Sequence, residues 1–87
     1  MADQEFTLDD LRRILVEAAG ADESVNLDGD ILDTDFESLN YESLALLETG
    51  SRIEREYGIS LDEDVLSIAH TPRSLIETIN SRLRVAA

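Results

Sequence analysis

The segment NYESLALLETGSRIEREYG, Asn40 to Gly58, decides the fold. At roughly 100° per residue, Leu46, Leu47, Gly50, Ile53 and Tyr57 fall on one helical face. Glu48, Arg52 and Arg55 fall away from it. The spacing predicts a helix that begins between Asn40 and Ser43 and runs to about Tyr57, with Gly58 as its stop. Leu44 does not join the apolar stripe. It projects with Glu48, Ser51 and Arg55, on the exposed side and beside Ser43, although single exposed apolar residues are common.

Working outward toward the N-terminus, a second amphipathic stretch spans Leu8 to Ala19. Leu8, Leu11, Ile14, Leu15 and Ala18 share a face, with Asp9, Asp10, Arg13 and Glu17 opposite and Arg12 at the edge. Thr7 is the candidate N-cap, the two aspartates suit the positive end of the helix dipole, and Gly20 is a plausible stop. Residues 21–39 lack a sustained period. A connection this long inside a small domain needs tethering. Val25, Leu27, Ile31, Leu32, Phe36 and Leu39 are spaced to provide it, around a helical turn.

Toward the C-terminus, SLDEDVL, Ser60 to Leu66, reads as a capped helix of one or two turns. Thr71-Pro72 opens a last helix, a cap residue followed by proline at the first helical position. It runs to about Leu83, with Leu75, Ile76, Ile79 and Leu83 on its core face and Arg73 and Asn80 along one edge. The expected fold is all-α: a small four-helix bundle, three main helices and one short, with a long loop between the first two. No repeat or linker divides it, so residues 1–87 read as a single domain.

Composition narrows function. The chain carries 20 acidic residues against 7 basic ones, a formal net charge of -13. That argues against nucleic acid, which demands a basic face, and against anionic membranes. Basic protein surfaces are the natural partners. With no cysteine there is no disulfide frame, thiol nucleophile or cysteine zinc site. The first residues lack an apolar signal core and no run is long enough to span a bilayer, so a cytoplasmic location is expected.

Candidate chemistry is sparse. Asp28, Asp30, Asp33 and Asp35 suggest calcium, but counting from Asp33 puts Ser38 sixth and Leu44 twelfth, where an EF-hand needs glycine and glutamate. Counting from Asp28 puts Leu32 at the fifth position. No metal site is expected. His70 is the one histidine, with no GxSxG and no strand pattern to hold a nucleophile, so a catalytic triad is not expected. Glu37-Ser38-Leu39 and Glu42-Ser43-Leu44 repeat a triplet, but only Ser43 precedes an unbroken helix. There it could serve as a cap, or accept a negative group favoured by the helix N-terminus. Asn40 could cap instead, leaving Ser43 free.

The order of these elements, with an acidic-Ser-Leu triplet opening the second helix, resembles an acyl carrier protein over nearly the whole chain. LDDLRRILVEAAG, NYESLALLETGSRIEREYGISL and TPRSLIETIN are most similar to carriers of type II aromatic polyketide synthases. YxSLALLE and TPRxLIxxIN carry more of that likeness than the serine triplet. The resemblance implies 4′-phosphopantetheine on Ser43, taken from coenzyme A by a phosphopantetheinyl transferase that supplies magnesium and the general base. It implies a non-catalytic carrier of malonyl and growing polyketide chains, monomeric as suits a shuttle. The implied partners are a ketosynthase/chain-length factor, a malonyl transferase, a ketoreductase and cyclases. Glu42, Leu44, Glu48 and Glu54 match positions that meet partner enzymes. Arg73 and Asn80 match polar positions near the inter-helix cleft, where they could pair with keto oxygens of the chain. Two positions depart from the pattern: Glu42 stands where aspartate is usual, and Asn40 where glycine is frequent. The alternatives are a carrier for fatty-acid or another acyl pathway, and, in a different class, an acidic adaptor or calcium-binding bundle without a prosthetic group.

Overall fold

The computed structural model describes residues 5–20 and 29–86. Helix α1 is Leu8–Ala19, α2 Ser43–Tyr57, α3 Glu63–Ile68 and α4 Pro72–Ala86. Among the described residues there is no strand, and no helix is long and apolar enough to cross a membrane. The all-α bundle of three main helices and one short helix is as expected.

Local chemistry sets most boundaries. Thr7 and Asp10 form a reciprocal capping box: Asp10 N–H donates to Thr7 Oγ1 at 3.2 Å, and Thr7 N–H donates to Asp10 Oδ2 at 3.1 Å. The α1 chain stops at Gly20, whose N–H donates to Val16 C=O. Gly58 ends α2 in the left-handed region at φ 68°, a conformation that side chains penalise. Ser74 N–H donates to Thr71 Oγ1 at 3.2 Å, so Thr71 caps α4 ahead of Pro72.

The core gathers Leu11, Ile14 and Leu15 of α1, Ile53 of α2, Leu66 of α3, and Leu75, Ile79 and Leu83 of α4. Phe6 is buried with them and meets Tyr57 edge to face at a centroid distance of 5.2 Å. The first helix packs against both α2 and α4, and α3 leans on α2. Helix α3 packs close to α2 at Gly50, where an added Cβ would lie 2.7 Å from Leu66 Cδ1.

The connection before α2 is tethered where it is described. Ile31, Phe36 and Leu39 are buried in the core, and Tyr41 joins them. Phe36 N–H donates to His70 C=O, and Arg73 N–H to Leu32 C=O, both at 2.9 Å. Residues 36–40 form the helical turn, closed by Asn40 N–H to Glu37 C=O and Tyr41 N–H to Phe36 C=O. The expected anchors Val25 and Leu27, and Asp28, lie outside the described residues.

Four details differ from the sequence reading. The short helix is Glu63–Ile68, not Ser60 to Leu66, because Asp62 takes the N-cap position; Leu61 is held in the preceding connection, donating its N–H to Glu54 Oε2 at 2.8 Å. Helix α4 continues past Leu83 to Ala86. Leu47 is 36% exposed and not part of the core stripe; it lies on the side of α2 that lines an open pocket. Thr49 is fully buried in its stead, its hydroxyl donating to Ala45 C=O at 2.8 Å, which satisfies the polar group inside the helix.

Candidate functional site

The N-terminus of α2 opens directly onto the end of the loop, and this junction positions Ser43. Asn40 adopts φ 66°, in the left-handed region that asparagine tolerates better than most residues. That conformation ends the 36–40 turn two residues before the N-cap position of α2. The N-cap is Glu42, in extended conformation, and its side chain makes no capping hydrogen bond. Glycine would meet the same backbone demand at position 40 without strain.

Ser43 is therefore the first residue of α2 and its side chain is exposed. The first turn of α2 holds no acidic residue, unlike that of α1 with Asp9 and Asp10. The N–H groups at the start of a helix have no intrahelical acceptor. The Glu42 side chain does not cap them, and an anionic group joined to the Ser43 hydroxyl could accept from them, where the helix dipole also favours it. The geometry at Ser43 thus fits a phosphate ester.

An open pocket of about 890 Å³ lies beside Ser43. Loop residues Asp35, Phe36, Glu37 and Asn40 form one wall. Ser43, Leu46 and Leu47 of α2 form the second, and Leu66, Ala69 and His70 the third. The lining is mixed: apolar groups from α2 and α3 face carboxylates from the loop. The two outer walls are joined by the Phe36–His70 backbone hydrogen bond. His70 is exposed at the rim. Its backbone carbonyl, not its ring, is what the fold uses.

The residues expected to serve the site are not all gathered there. Glu42 and Ser43 line the pocket. Leu44 stands 68% exposed next to them, and Glu48 is exposed one turn further along. Glu54 lies lower on α2, where its carboxylate receives Leu61 N–H. Arg73 points to the loop and grips Asp33, with Nε donating to Oδ1 at 2.7 Å and NH2 to Oδ2 at 3.2 Å. This bidentate pairing holds the Asp33 carboxyl below its ordinary range and raises the guanidinium above its own. Asn80 spends both ends of its amide on the backbone of Phe6. Leu66 and Ala69 line the pocket without a sequence signal, because a two-turn helix has too short a period to reveal which side faces a neighbour; Asp35 lines it from the loop. Among the described residues no cluster of three or more potential ligands could hold a metal.

Known proteins match this arrangement. The family model "Phosphopantetheine attachment site" matches residues 9–79. The chain is 67% identical over 86 residues to the monensin polyketide synthase acyl carrier protein of Streptomyces virginiae, covering 99% of this chain and 97% of that one. It is 51% identical over 82 residues to the actinorhodin polyketide synthase acyl carrier protein of Streptomyces coelicolor, covering 94% and 95%. The solution structure of the 3,5-dioxohexyl (triketide-mimic) form of the actinorhodin carrier superposes with a TM-score of 0.87 at 48% identity, over 99% of this chain and all (100%) of that one.

Proposed function

The chain belongs to the phosphopantetheine attachment-site family, among the acyl carrier proteins of type II polyketide synthases, and from that premise we propose that Ser43 is its attachment residue. It is a non-catalytic carrier subunit whose prosthetic group is 4′-phosphopantetheine. When bound, that arm supplies a terminal thiol on which acyl groups ride as thioesters. The protein residues do the rest. Exposure of Ser43 lets a transferase reach its hydroxyl, and the uncapped turn of α2 receives the phosphate. Among the described residues no side chain hydrogen-bonds the Ser43 hydroxyl to serve as a base, which fits a proton acceptor supplied by the transferase.

The cargo on this reading is malonyl and growing polyketide chains, and residues 1–87 act as one carrier domain. Glu42, Leu44 and Glu48 surround the arm and form the surface that meets synthase enzymes. Named partners are a phosphopantetheinyl transferase, a ketosynthase/chain-length factor, a malonyl transferase, a ketoreductase and cyclases. Glu54 contributes to that surface only through its outer oxygen, since the other receives Leu61 N–H. Of the two residues proposed to meet keto oxygens, Arg73 would release an exposed ion pair, which is inexpensive. Asn80 would abandon two part-buried hydrogen bonds, which is not.

The observation that carries the proposal is an exposed serine opening an uncapped helix at the mouth of a pocket. Coenzyme A, magnesium and a broad-specificity transferase are expected to raise the mass by one phosphopantetheine. Ser43→Ala should abolish the gain and Ser38→Ala should leave it intact. The reverse result would overturn the assignment.

A further inference from the structure

The outward face of α2 carries a pattern that attachment of an arm does not use. Leu44, Glu48, Ser51 and Arg55 are spaced by four, three and four residues. They fall within about 60° of one another around the helix and extend along about 16 Å of its axis. All four are exposed. Among the described residues, neither the Glu48 nor the Arg55 side chain enters a hydrogen bond or ion pair. The neighbouring Arg52 lies 3.9 Å from Glu17, and Arg13 and Arg73 are each held by carboxylates.

Among the described residues Arg55 shares the lack of a carboxylate partner with Arg82 and Arg84 of α4, so it is its place on α2, in line with Leu44 and Glu48, that sets it apart. The negative end of the helix dipole favours a base in this last turn, and Arg84 occupies the same place in α4. Only Arg55 is in line with Leu44 and Glu48. The stripe is therefore apolar, then acidic, then basic, reading away from Ser43.

Building on the reading of Ser43 as the attachment point and of Leu44 and Glu48 as partner contacts, we infer that Arg55 is the far anchor of that face and gives it a direction. The enzyme that fits it presents an apolar depression for Leu44 and a basic group for Glu48. An acidic group follows about 10 Å further on, opposite Arg55. A helix lined only with carboxylates could lie on a basic patch in either direction. Here reversal sets Arg55 against the basic group and Glu48 against the acidic one, and like charges reject that pose. The stripe thus fixes which way α2 lies, and so where an arm on Ser43 enters the partner.

The test uses the full chain, loaded at Ser43 to completion as read by mass, with the ketosynthase/chain-length factor as probe at low salt. Arg55→Glu is expected to weaken binding about threefold to tenfold, mainly through the association rate, and Arg55→Gln by less. Arg84→Glu makes the same change in net charge at the same helical position and should bind within about twofold of the original. Equal binding by Arg55→Glu, or an equal loss in Arg84→Glu, overturns the docking face. Loaded original protein that does not bind overturns it too. Original protein that takes no arm overturns the reading of Ser43 instead.

Discussion

Asn80 grips Phe6 by both of its backbone polar groups, across 74 positions of sequence. Its Oδ1 accepts from Phe6 N–H at 2.7 Å and its Nδ2 donates to Phe6 C=O at 3.0 Å. The side chain acts as a strand edge would, and fastens the segment before α1 to the middle of α4. Phe6 itself is buried against Tyr57, so the clamp holds an aromatic anchor of the core.

Replacing Asn80 should therefore cost stability whatever the cargo does. Asn80→Leu leaves two part-buried backbone groups without partners and is expected to lose about 1–3 kcal/mol in urea unfolding. Asn80→Asp keeps the acceptor but turns a carboxylate oxygen toward the Phe6 carbonyl, and should fall in the same range. A midpoint equal to that of the original chain in both variants would remove the clamp from the account. The same result matters for cargo: a change in acyl-chain response in Asn80→Leu has to be read beside its stability.

This clamp was not legible in the sequence, whereas the helix it touches was. Local chemistry reveals itself locally. Thr7 with Asp10, Gly20, Gly58 and Thr71-Pro72 mark helix ends through bonds to near neighbours, and those ends were placed closely. Ser60 and Asp62 offer competing caps two residues apart, and a six-residue helix has no period to choose between them. Leu47 and Thr49 flank the same stripe, and which is covered depends on where α3 rests. The place of Ser43 at the start of α2 was legible because an unbroken helix follows it. That Arg73 would hold Asp33, 40 positions away, has no signature in spacing.

The α1–α2 contact on the outer surface is ionic, and its acid response has a defined sign. Arg13 forms a two-pronged pairing with Glu56 and donates to Glu17 at 3.1 Å. The guanidinium holds the Glu56 carboxyl below its ordinary value of 4.5. A carboxyl with a lowered folded-state value contributes stability that is fully present above the unfolded value and lost as pH falls through the folded one. Glu56→Gln should thus melt below the original chain at pH 7, with the gap closing below pH 4.5. Both side chains are 43% exposed, so the gap should be at most about 1 kcal/mol and should shrink in salt. Protonation of the many other carboxylates relieves repulsion in both proteins alike, which is why the difference is the quantity to follow. A gap unchanged at pH 3 (about 1.5 units below the ordinary value) would rule out this linkage.

Gly50 sets how closely α3 can rest on α2, and through Leu66 it shapes one wall of the pocket. An added Cβ would lie 2.7 Å from Leu66 Cδ1 and 3.3 Å from Cδ2. Those are terminal methyls of a flexible side chain, so Gly50→Ala can be absorbed by turning Leu66. Alanine also favours the helix by about 1 kcal/mol over glycine. Its melting midpoint should stay near the original while the Leu66 methyl resonances move. Gly50→Leu cannot be absorbed that way and must push α3 outward, at about 1–3 kcal/mol. Displacement of α3 carries Leu66 and Ala69 with it and opens the pocket beside Ser43. In the arm-bearing protein, an octanoyl chain should then perturb the Leu66 and Ala69 resonances less in Gly50→Leu than in the original. Undiminished perturbation, together with an unchanged midpoint, would show that Gly50 does not set the distance between α2 and α3.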